Sequence, residues 1–549
     1  MAEDTKAIEI IQMAELEKGK AQNMLNLYQQ FADLGYPVEN QITTKRAYGE
    51  DKSLDVRDPT AIFALDKATS GFIGAWIPSD RFFFGIRVKN KQLAGLDSVK
   101  RYCALATEIA HDEIFDSNYL MQLQNTAKAC IGFGTGNSYC EWNLKLKKLV
   151  FKDWHVSSYT FKEDENGMVD TMILQYNRTA KQLAARFKDP GEDVEKAVEE
   201  LKTESKMFSV IHVIRARIRN NYKLISKLNM PFESVFVNIK EKKVMDEGGF
   251  EEFPHVVPRW EKASCEKWGR GRGLTMLSAI KELQQMRKDY MDVSNRMSGH
   301  SPYEVVTNNV EGEVNMKPDG RTDVTEKGSI NPLHPMLQGN FPVTTEALQE
   351  QRKLIREEGF YGDIFSQFGN LTGDRRTTTE IQLRYKEGLR QLISPVSRFE
   401  SEDFTPQISR VVRELIRWGI IPPPPPELRG QEFGIDYMGE LAMAMKDMQS
   451  RGFERGMTMI AGLAKVFPDI RDEINLGRAM PDVLLNYGMK VDHLNTPEEK
   501  AALKQQRAKE QQQMQAMQAA QVVGKAYKDT TSAPEEGSAA GKIMEGAGV

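Results

Sequence analysis

The chain has 549 residues, 40% of them hydrophobic and 28% charged, long enough for several domains because single cores rarely grow beyond about 250–300 residues. A formal net charge of −4 argues against a protein whose main task is to grip nucleic acid, since tight phosphate binding favours a basic surface that releases counterions. Four scattered cysteines without a CxxC pair fit neither a disulfide framework nor a zinc site, and no apolar run approaches the roughly 18–20 residues of a membrane span. The acidic start Met1-Ala2-Glu3-Asp4 lacks a secretory pattern, so a cytosolic product is expected.

Residues 5–35 read as an amphipathic helix with Ile8, Ile11, Leu16, Met24, Leu27 and Phe31 on its apolar side. Residues 36–58 read as loop, and Asp58-Pro59-Thr60 as the start of a helix over Ala61–Ile77. Arg81–Val88 has the composition of a strand, and Leu96–Phe133 that of one long helical region. Ser138–Trp142 and Leu149–Trp154 form a hairpin pattern, and Ser157–Phe161 and Met168–Asn177 are expected to continue its sheet. Helices follow at Thr179–Phe187 and about 192–204. Alternation then predicts strands at Phe208–Arg217, Lys223–Leu228, Ser234–Ile239 and Lys243–Glu247. The first 265 residues are therefore a mixed α+β body.

Trp268-Gly269-Arg270-Gly271-Arg272-Gly273 leads into an apolar stripe of Met276, Ile280, Leu283, Met286, Tyr290, Val293 and Met297, spaced three or four apart as on one helix face. A proline-broken, strand-like insert occupies 299–343, with six acidic residues (Glu304, Glu311, Glu313, Asp319, Asp323, Glu326) against three basic ones (Lys317, Arg321, Lys327). A second helical pattern starts near Thr344. The polar loop Phe368–Arg376 separates it from a third, Thr377–Trp418, which stops at Pro422–Pro426. Pro395 and Pro406 should kink or break that third helix, and the proline run should be a stiff polyproline II spacer. Residues 436–488 read as mostly helical, a Gln/Ala-rich helix follows to about Lys528, and 529–549 read as disordered.

Gly132-Phe133-Gly134-Thr135-Gly136-Asn137 has the glycines of a phosphate loop, but here a helix precedes and a strand follows. A tight helix-to-strand turn is the better reading. Gly537–Lys542 is one residue short of a P-loop. The seven histidines show no metal-ligand spacing, and no catalytic constellation, cofactor motif or metal site is expected. For Trp268–Arg272 (Trp268, Gly269, Arg270, Gly271, Arg272), a glycine-rich joint between body and helix stands against a phosphate contact, and the joint is preferred.

Taken in order, these parts resemble the portal, or head-to-tail connector, proteins of short-tailed double-stranded DNA bacteriophages. The resemblance is carried by Ile131–Gly136 before Ser138–Trp142, Trp268–Gly271, Thr377-Thr378-Thr379-Glu380-Ile381, Leu392-Ile393-Ser394-Pro395-Val396 and Trp418-Gly419-Ile420-Ile421, and spans roughly residues 30–490. No one of these motifs is specific; their order and spacing are.

The resemblance implies an α+β protomer of portal type, assembled as a dodecameric ring with a central channel for double-stranded DNA. Residues 1–265 would be the first part of the wing, 266–298 and 344–368 two stem helices, and 299–343 the clip between them. Residues 369–376 would be a channel loop, 377–425 a kinked wing helix with proline spacer, 426–495 a helical crown, and 496–528 a possible barrel helix. It further implies that Asn370, Thr372, Asp374, Arg375 and Arg376 lie near DNA, while Glu304, Glu311, Glu313, Lys317 and Arg321 serve clip contacts. Implied partners are the terminase large subunit, the major capsid and scaffolding proteins, and tail adaptor or nozzle proteins. The implied location is a capsid vertex of the virion, after assembly in the host cytoplasm. The alternatives are a nucleic-acid-processing ring enzyme of the packaging machinery, or a capsid or scaffold component without a DNA channel. The first needs a nucleotide loop after a strand, which the sequence lacks.

Overall fold

The computed structural model describes residues 4–47, 49–53, 55–78, 82–90, 92–200, 206–217, 226–297, 303–305, 330–332, 341–366, 392–428, 430–431, 433–438 and 497–529. The fold is α+β, and the chain divides into two compact units. One comprises Met1–Lys89, Leu105–Pro424 and Gly430–Met445, the other Asn90–Ala104, Pro425–Arg429 and Lys446–Val549. In the second unit the long helix Pro497–Asp529 is described, and its side chains over 502–519 are exposed.

The first unit opens with α1 (Thr5–Gly35), whose Asp4 cap accepts the Lys6 amide at 3.0 Å. The expected helix is there, but its buried face differs from the expected one. Ala7, Ile10, Ala14, Ala21, Leu25, Tyr28, Phe31 and Ala32 are buried, whereas Leu16 is 59% exposed. Small residues win the inner face because Ala7, Ile10 and Ala14 lie on a sheet surface of Ile173, Ile211, Val213, Val235 and Val237. A larger side chain there would hold helix and sheet apart.

After α2 (Thr60–Trp76) and β1 (Phe84–Val88), the expected single helical region is two helices, α3 (Asp97–Phe115) and α4 (Tyr119–Gly132). Asn118 stands at the break, its amide bonded to both the N–H and the C=O of Phe151. The hairpin β2 (Ser138–Asn143) and β3 (Lys148–Asp153) is antiparallel as read. β4 (Tyr159–Glu163) and β5 (Val169–Thr179) do not continue it; they begin a separate antiparallel meander. Inserted in that meander are α5 (Ala180–Arg186) and α6 (Glu192–Glu199). The order β4-β5-β6-β7-β8 is completed by β6 (Met207–Ala216), β7 (Phe232–Asn238) and β8 (Lys243–Phe250). A reciprocal Thr179–Gln182 capping box starts α5. α5 and α6 cover the face opposite α1, packing Leu183, Phe187, Val194 and Ala197 on Phe208, Val210 and Phe236. With helices on both faces, β6 is buried continuously from Val210 to Ile214. The strand expected at Lys223–Leu228 is instead, where described, a single 3-10 turn at Lys227–Asn229.

β9 (His255–Val256) extends the hairpin sheet, and β10 (Glu261–Lys262) pairs with β11 (Gly269–Arg270). The short α7 (Arg272–Thr275) and then α8 (Leu277–Met297) follow. Within the insert, β12 (Tyr303–Val305) and β13 (Ile330–Pro332) pair antiparallel. The chain returns through α9 (Phe341–Lys353), a π-turn at Leu354–Gly359 and α10 (Gly362–Ser366). Residues 392–399 are helical and run through a second π-turn, Glu400–Phe404, into the helix Thr405–Arg417. The expected break at Pro406 therefore takes the form of an extra residue in the turn ahead of it. Shifting the hydrogen bonding there relieves the missing donor and the ring's clash with the preceding carbonyl. Gly419, at φ +73°, ends that helix, with Ile420 N–H on Leu415 O and Gly419 N–H on Ile416 O. Of the proline run, Pro426 opens a 3-10 turn over Pro426–Leu428. A strand that the sequence reading missed, Phe433–Tyr437, pairs antiparallel with β1.

The loop after α1 is held to the hairpin by His155, whose Nε2 lies 3.0 Å from the Glu39 carboxylate and whose Nδ1 lies 2.7 Å from Ser157 Oγ. Burial alone would lower the His155 pKa, but the hydrogen bond and charge of Glu39 reverse that and raise it. The hydrogen bond from His155 in turn holds the Glu39 carboxyl low. The His155 contribution to stability should be complete below its unfolded value, about 6.5, and fade as pH rises through the raised folded value. Thermal melts of the wild type and His155→Gln across pH 5.5–9 should therefore differ most at the acid end and converge toward the alkaline end.

Candidate functional site: the glycine joint

Two glycine-rich segments, read separately in the sequence, meet backbone to backbone. α4 ends at Gly132, and Gly134 takes φ +112° to turn the chain toward β2. Its carbonyl accepts the Trp260 amide at 2.9 Å, and the Phe133 carbonyl accepts the Gly271 amide at 3.1 Å. Thr135 Oγ1 accepts the Gly269 amide at 2.9 Å, while the Tyr28 hydroxyl donates to the Gly269 carbonyl at 2.8 Å. No side chain fits between the two segments. A methyl at Gly269 would overlap the Gly134 carbonyl, one at Gly271 would lie 2.5 Å from the Ile131 carbonyl, and one at Gly273 would run into the Phe31 ring. The amides of Phe133, Gly134 and Gly136 donate to Ala129, Ala129 and Pro258 carbonyls, so this loop presents them inward and not to a phosphate.

An aromatic box surrounds the contact. Trp268 is 4% exposed and packs on Tyr28, Tyr159 and Phe161 at centroid distances of 6.1, 5.8 and 4.8 Å. Phe133 sits among Tyr28, Phe31 and Tyr36 at 5.4–5.8 Å. Rings at such distances add specific edge and face contacts to the area they bury. Burial pushes the Tyr28 hydroxyl well above its ordinary value despite the Thr135 hydrogen bond, so it stays a neutral donor.

The joint's two arginines differ in role. Arg270 is half-exposed and forms a two-point ion pair with Glu266 at 2.8 and 2.7 Å. Arg272 reaches the returning chain, donating to Gly359 O at 2.7 Å and Glu358 O at 3.0 Å, with its guanidinium 4.7 Å from the Tyr361 ring centre. A cation at carbonyls ending a helical turn is favourably placed. Both arginines thus have protein partners.

A second tie lies along α8 and α9. Gln284 accepts the Arg57 and Asp58 amides at 2.7 and 2.9 Å and donates to Asp58 O at 2.8 Å. Asp58 also receives two bonds from Arg352, at 2.9 and 2.7 Å, and Gln351 donates to Ala279 O at 3.2 Å. Burial would raise the Asp58 carboxyl, but the Thr60 and Arg352 hydrogen bonds outweigh it and hold it below the usual range. Along α8, Leu277, Ile280 and Leu283 are buried, while Met286, Tyr290 and Val293 are half-buried and Met291 exposed. The predicted stripe is present, and its burial declines along the helix.

Arg259, 2% exposed, joins two further elements. It pairs with Glu163 of the meander and with Glu402 of the second π-turn, and donates to Gly167 O at 3.1 Å. Burial opposes its charge, yet the two carboxylates keep it raised. Its neighbour in that turn, Asp403, is fully buried without a hydrogen-bond partner, and burial lifts its carboxyl to about 8.

Among the proposed sites, Asn370, Thr372, Asp374, Arg375, Arg376, Glu311, Glu313, Lys317 and Arg321 lie outside the described residues, as do most of the crown segment and the tail beyond 529. Glu304 lies on β12, opposite Asn331. Sequence reading missed Tyr28, Asp58, Arg259, Gln284 and Arg352. Asp58 was visible as a helix-start residue, but nothing local marked its distant partners. Among the described residues no group of three His, Cys, Asp or Glu side chains is placed to hold a metal ion, and no helix is long and apolar enough to cross a membrane.

A family model described as bacteriophage head to tail connecting protein matches residues 8–494. The chain is similar to the probable portal protein of Bordetella phage BPP-1, 22% identical over 485 residues, covering 86% of this chain and 85% of that one. It is also similar to the portal protein of Salmonella phage epsilon15, 24% identical over 539 residues and 96% of each chain.

Two substitutions test the joint. Gly269→Ala should destabilise the protein by about 3 kcal/mol or more, since neither backbone can give way. Gly19→Ala, at an open position on α1, should be neutral or stabilise by up to about 1 kcal/mol. Denaturant unfolding of both variants checks this contrast. Arg352→Met, leaving the nearly buried Asp58 carboxylate unpaired, should cost about 3 kcal/mol at neutral pH. Because the Asp58 value is depressed on folding, that difference should shrink as pH falls through it.

Proposed function

The chain belongs to the bacteriophage head to tail connecting protein family, and we propose that it acts as a viral portal, a ring of identical copies at one capsid vertex. Double-stranded DNA would be packaged and later ejected through the central hole. The carrying observation is the near full-length match to the family and to two portal proteins. Copies arranged head to tail form a closed ring when each is rotated from the last by a whole fraction of a turn.

In this reading α8 and α9 are the stem, joined at the wing by the glycine contact and the Asp58–Arg352 pair. The β12–β13 ladder is the base of the clip, which docks the terminase motor during packaging and the tail adaptor afterwards. Subunit number is twelve, and capsid and scaffolding proteins surround the wing. The role is mechanical: the chain supplies a shaped channel and no chemistry. Asn370, Thr372 and Asp374 with Arg375 and Arg376 face the moving duplex, where brief contacts serve better than firm Arg–phosphate bonds that would stall it.

Arg375→Ala combined with Arg376→Ala should leave rings intact in negative-stain images while lowering the yield of DNA-filled particles several-fold. Normal filled-particle yield would remove the loop from the mechanism. A purified chain that never forms rings, or that turns over ATP, would remove the portal reading itself.

A further inference from the structure

Several buried or half-buried cations have carboxylate partners, as Arg259 does on Glu163 and Glu402, Arg352 on Asp58, and Arg215 and Arg217 on Glu233. Half-buried Lys152 and Arg178 and exposed Arg186 depart from that pattern. None of them has a carboxylate in ion-pair distance among the described residues; each lies instead on an aromatic face. Lys152 Nζ is 3.6 Å from the Trp154 ring centre, the Arg178 guanidinium 4.6 Å from Tyr176, and that of Arg186 4.7 Å from Phe236. Trp154 meets Tyr176 at 5.3 Å and Phe187 meets Phe236 at 5.1 Å, and Tyr176 packs against the cluster that holds Phe187 and Phe236. Three elements, β3, β5 and α5, therefore bring like charges together and fix where they stand.

The cations feel one another. Burial, then the charges of Arg178 and Arg186, push the Lys152 ammonium down to about 8, with Glu141 alone opposing. Glu141 is exposed, and its carboxylate accepts the Tyr139 hydroxyl at 2.5 Å. Assembled like charges are unfavourable until an anion completes them. Donors arriving from three separate elements suit a tetrahedral oxyanion better than a planar carboxylate, which one arginine fork can match by itself.

We propose that Lys152, Arg178 and Arg186 form a phosphate-binding site, for a free phosphate ion or for the phosphates of a nucleic-acid backbone. The site shares no residue with the 369–376 segment and does not depend on the channel reading.

The test uses the assembled full-length protein. Calorimetry with inorganic phosphate and fluorescence anisotropy with a short labelled DNA duplex are compared for the wild type, Arg178→Gln with Arg186→Gln, and a charge-matched control. The control, Lys145→Gln with Lys147→Gln, removes two exposed lysines at the hairpin turn. The arginine variant should bind at least about tenfold more weakly, with the control close to wild type and the thermal midpoint unchanged or raised by relief of repulsion. Binding of both probes identifies backbone phosphates, and binding of inorganic phosphate alone identifies the free ion. The proposal is overturned if neither probe binds, if both variants lose affinity equally, or if a poly-glutamate peptide displaces the duplex as well as phosphate does.

Discussion

The constraint on which the first unit depends is the direct contact of two main-chain segments, Phe133–Thr135 and Gly269–Gly271. Side-chain packing tolerates small changes of volume because rotamers adjust. Main chain against main chain has no such freedom, and glycine is required because the other backbone occupies the place a Cβ would take. The contact also fixes where α8 begins, since Gly271 opens the short α7 that precedes it. Trp268 and Phe133 then close an aromatic shell that keeps water from the amide and carbonyl pairs, where an unmade hydrogen bond would be costly.

Around this contact the protein uses charge in two ways. Arg259 and Arg352 each bind elements far apart in sequence, with carboxylates held close and largely shielded from solvent. Such pairs contribute orientation more dependably than net stability, because desolvation offsets much of their attraction. The Lys152–Arg178–Arg186 group does the reverse, concentrating one sign of charge on aromatic supports. The first arrangement holds elements together, and the second leaves valence for a molecule outside the chain.

Much of the architecture was legible in the sequence, and the failures have physical causes. Alternation identified β2 and β3, and spacing identified α8, because each buries one face against the body. Periodicity puts the α1 stripe on its large residues, but a helix lying flat on a sheet buries alanines and turns Leu16 outward. Sheet membership was misjudged at β4 because alternation reveals a strand without naming its neighbour. Trp268–Gly273 stood out as a joint from its composition. Its counterpart, Gly132–Gly136, reads only as a turn, since no local signal pairs segments more than a hundred residues apart. The family, by contrast, was visible in the order of parts, which survives when individual residues diverge.

The two helices leaving the joint have a mechanical consequence. α8 has 21 residues and rises about 1.5 Å per residue, so it is a rod roughly 32 Å long. Its polar ties to other elements among the described residues, at Ala279, Lys281, Glu282 and Gln284, fall in its first half, and its apolar burial declines beyond Leu283. A rod clamped at one end multiplies any rotation of its clamp: a tilt of about 5° at the glycines would swing the far tip by roughly 3 Å. Stiffness at the root therefore sets how faithfully a displacement at one end is transmitted to the other.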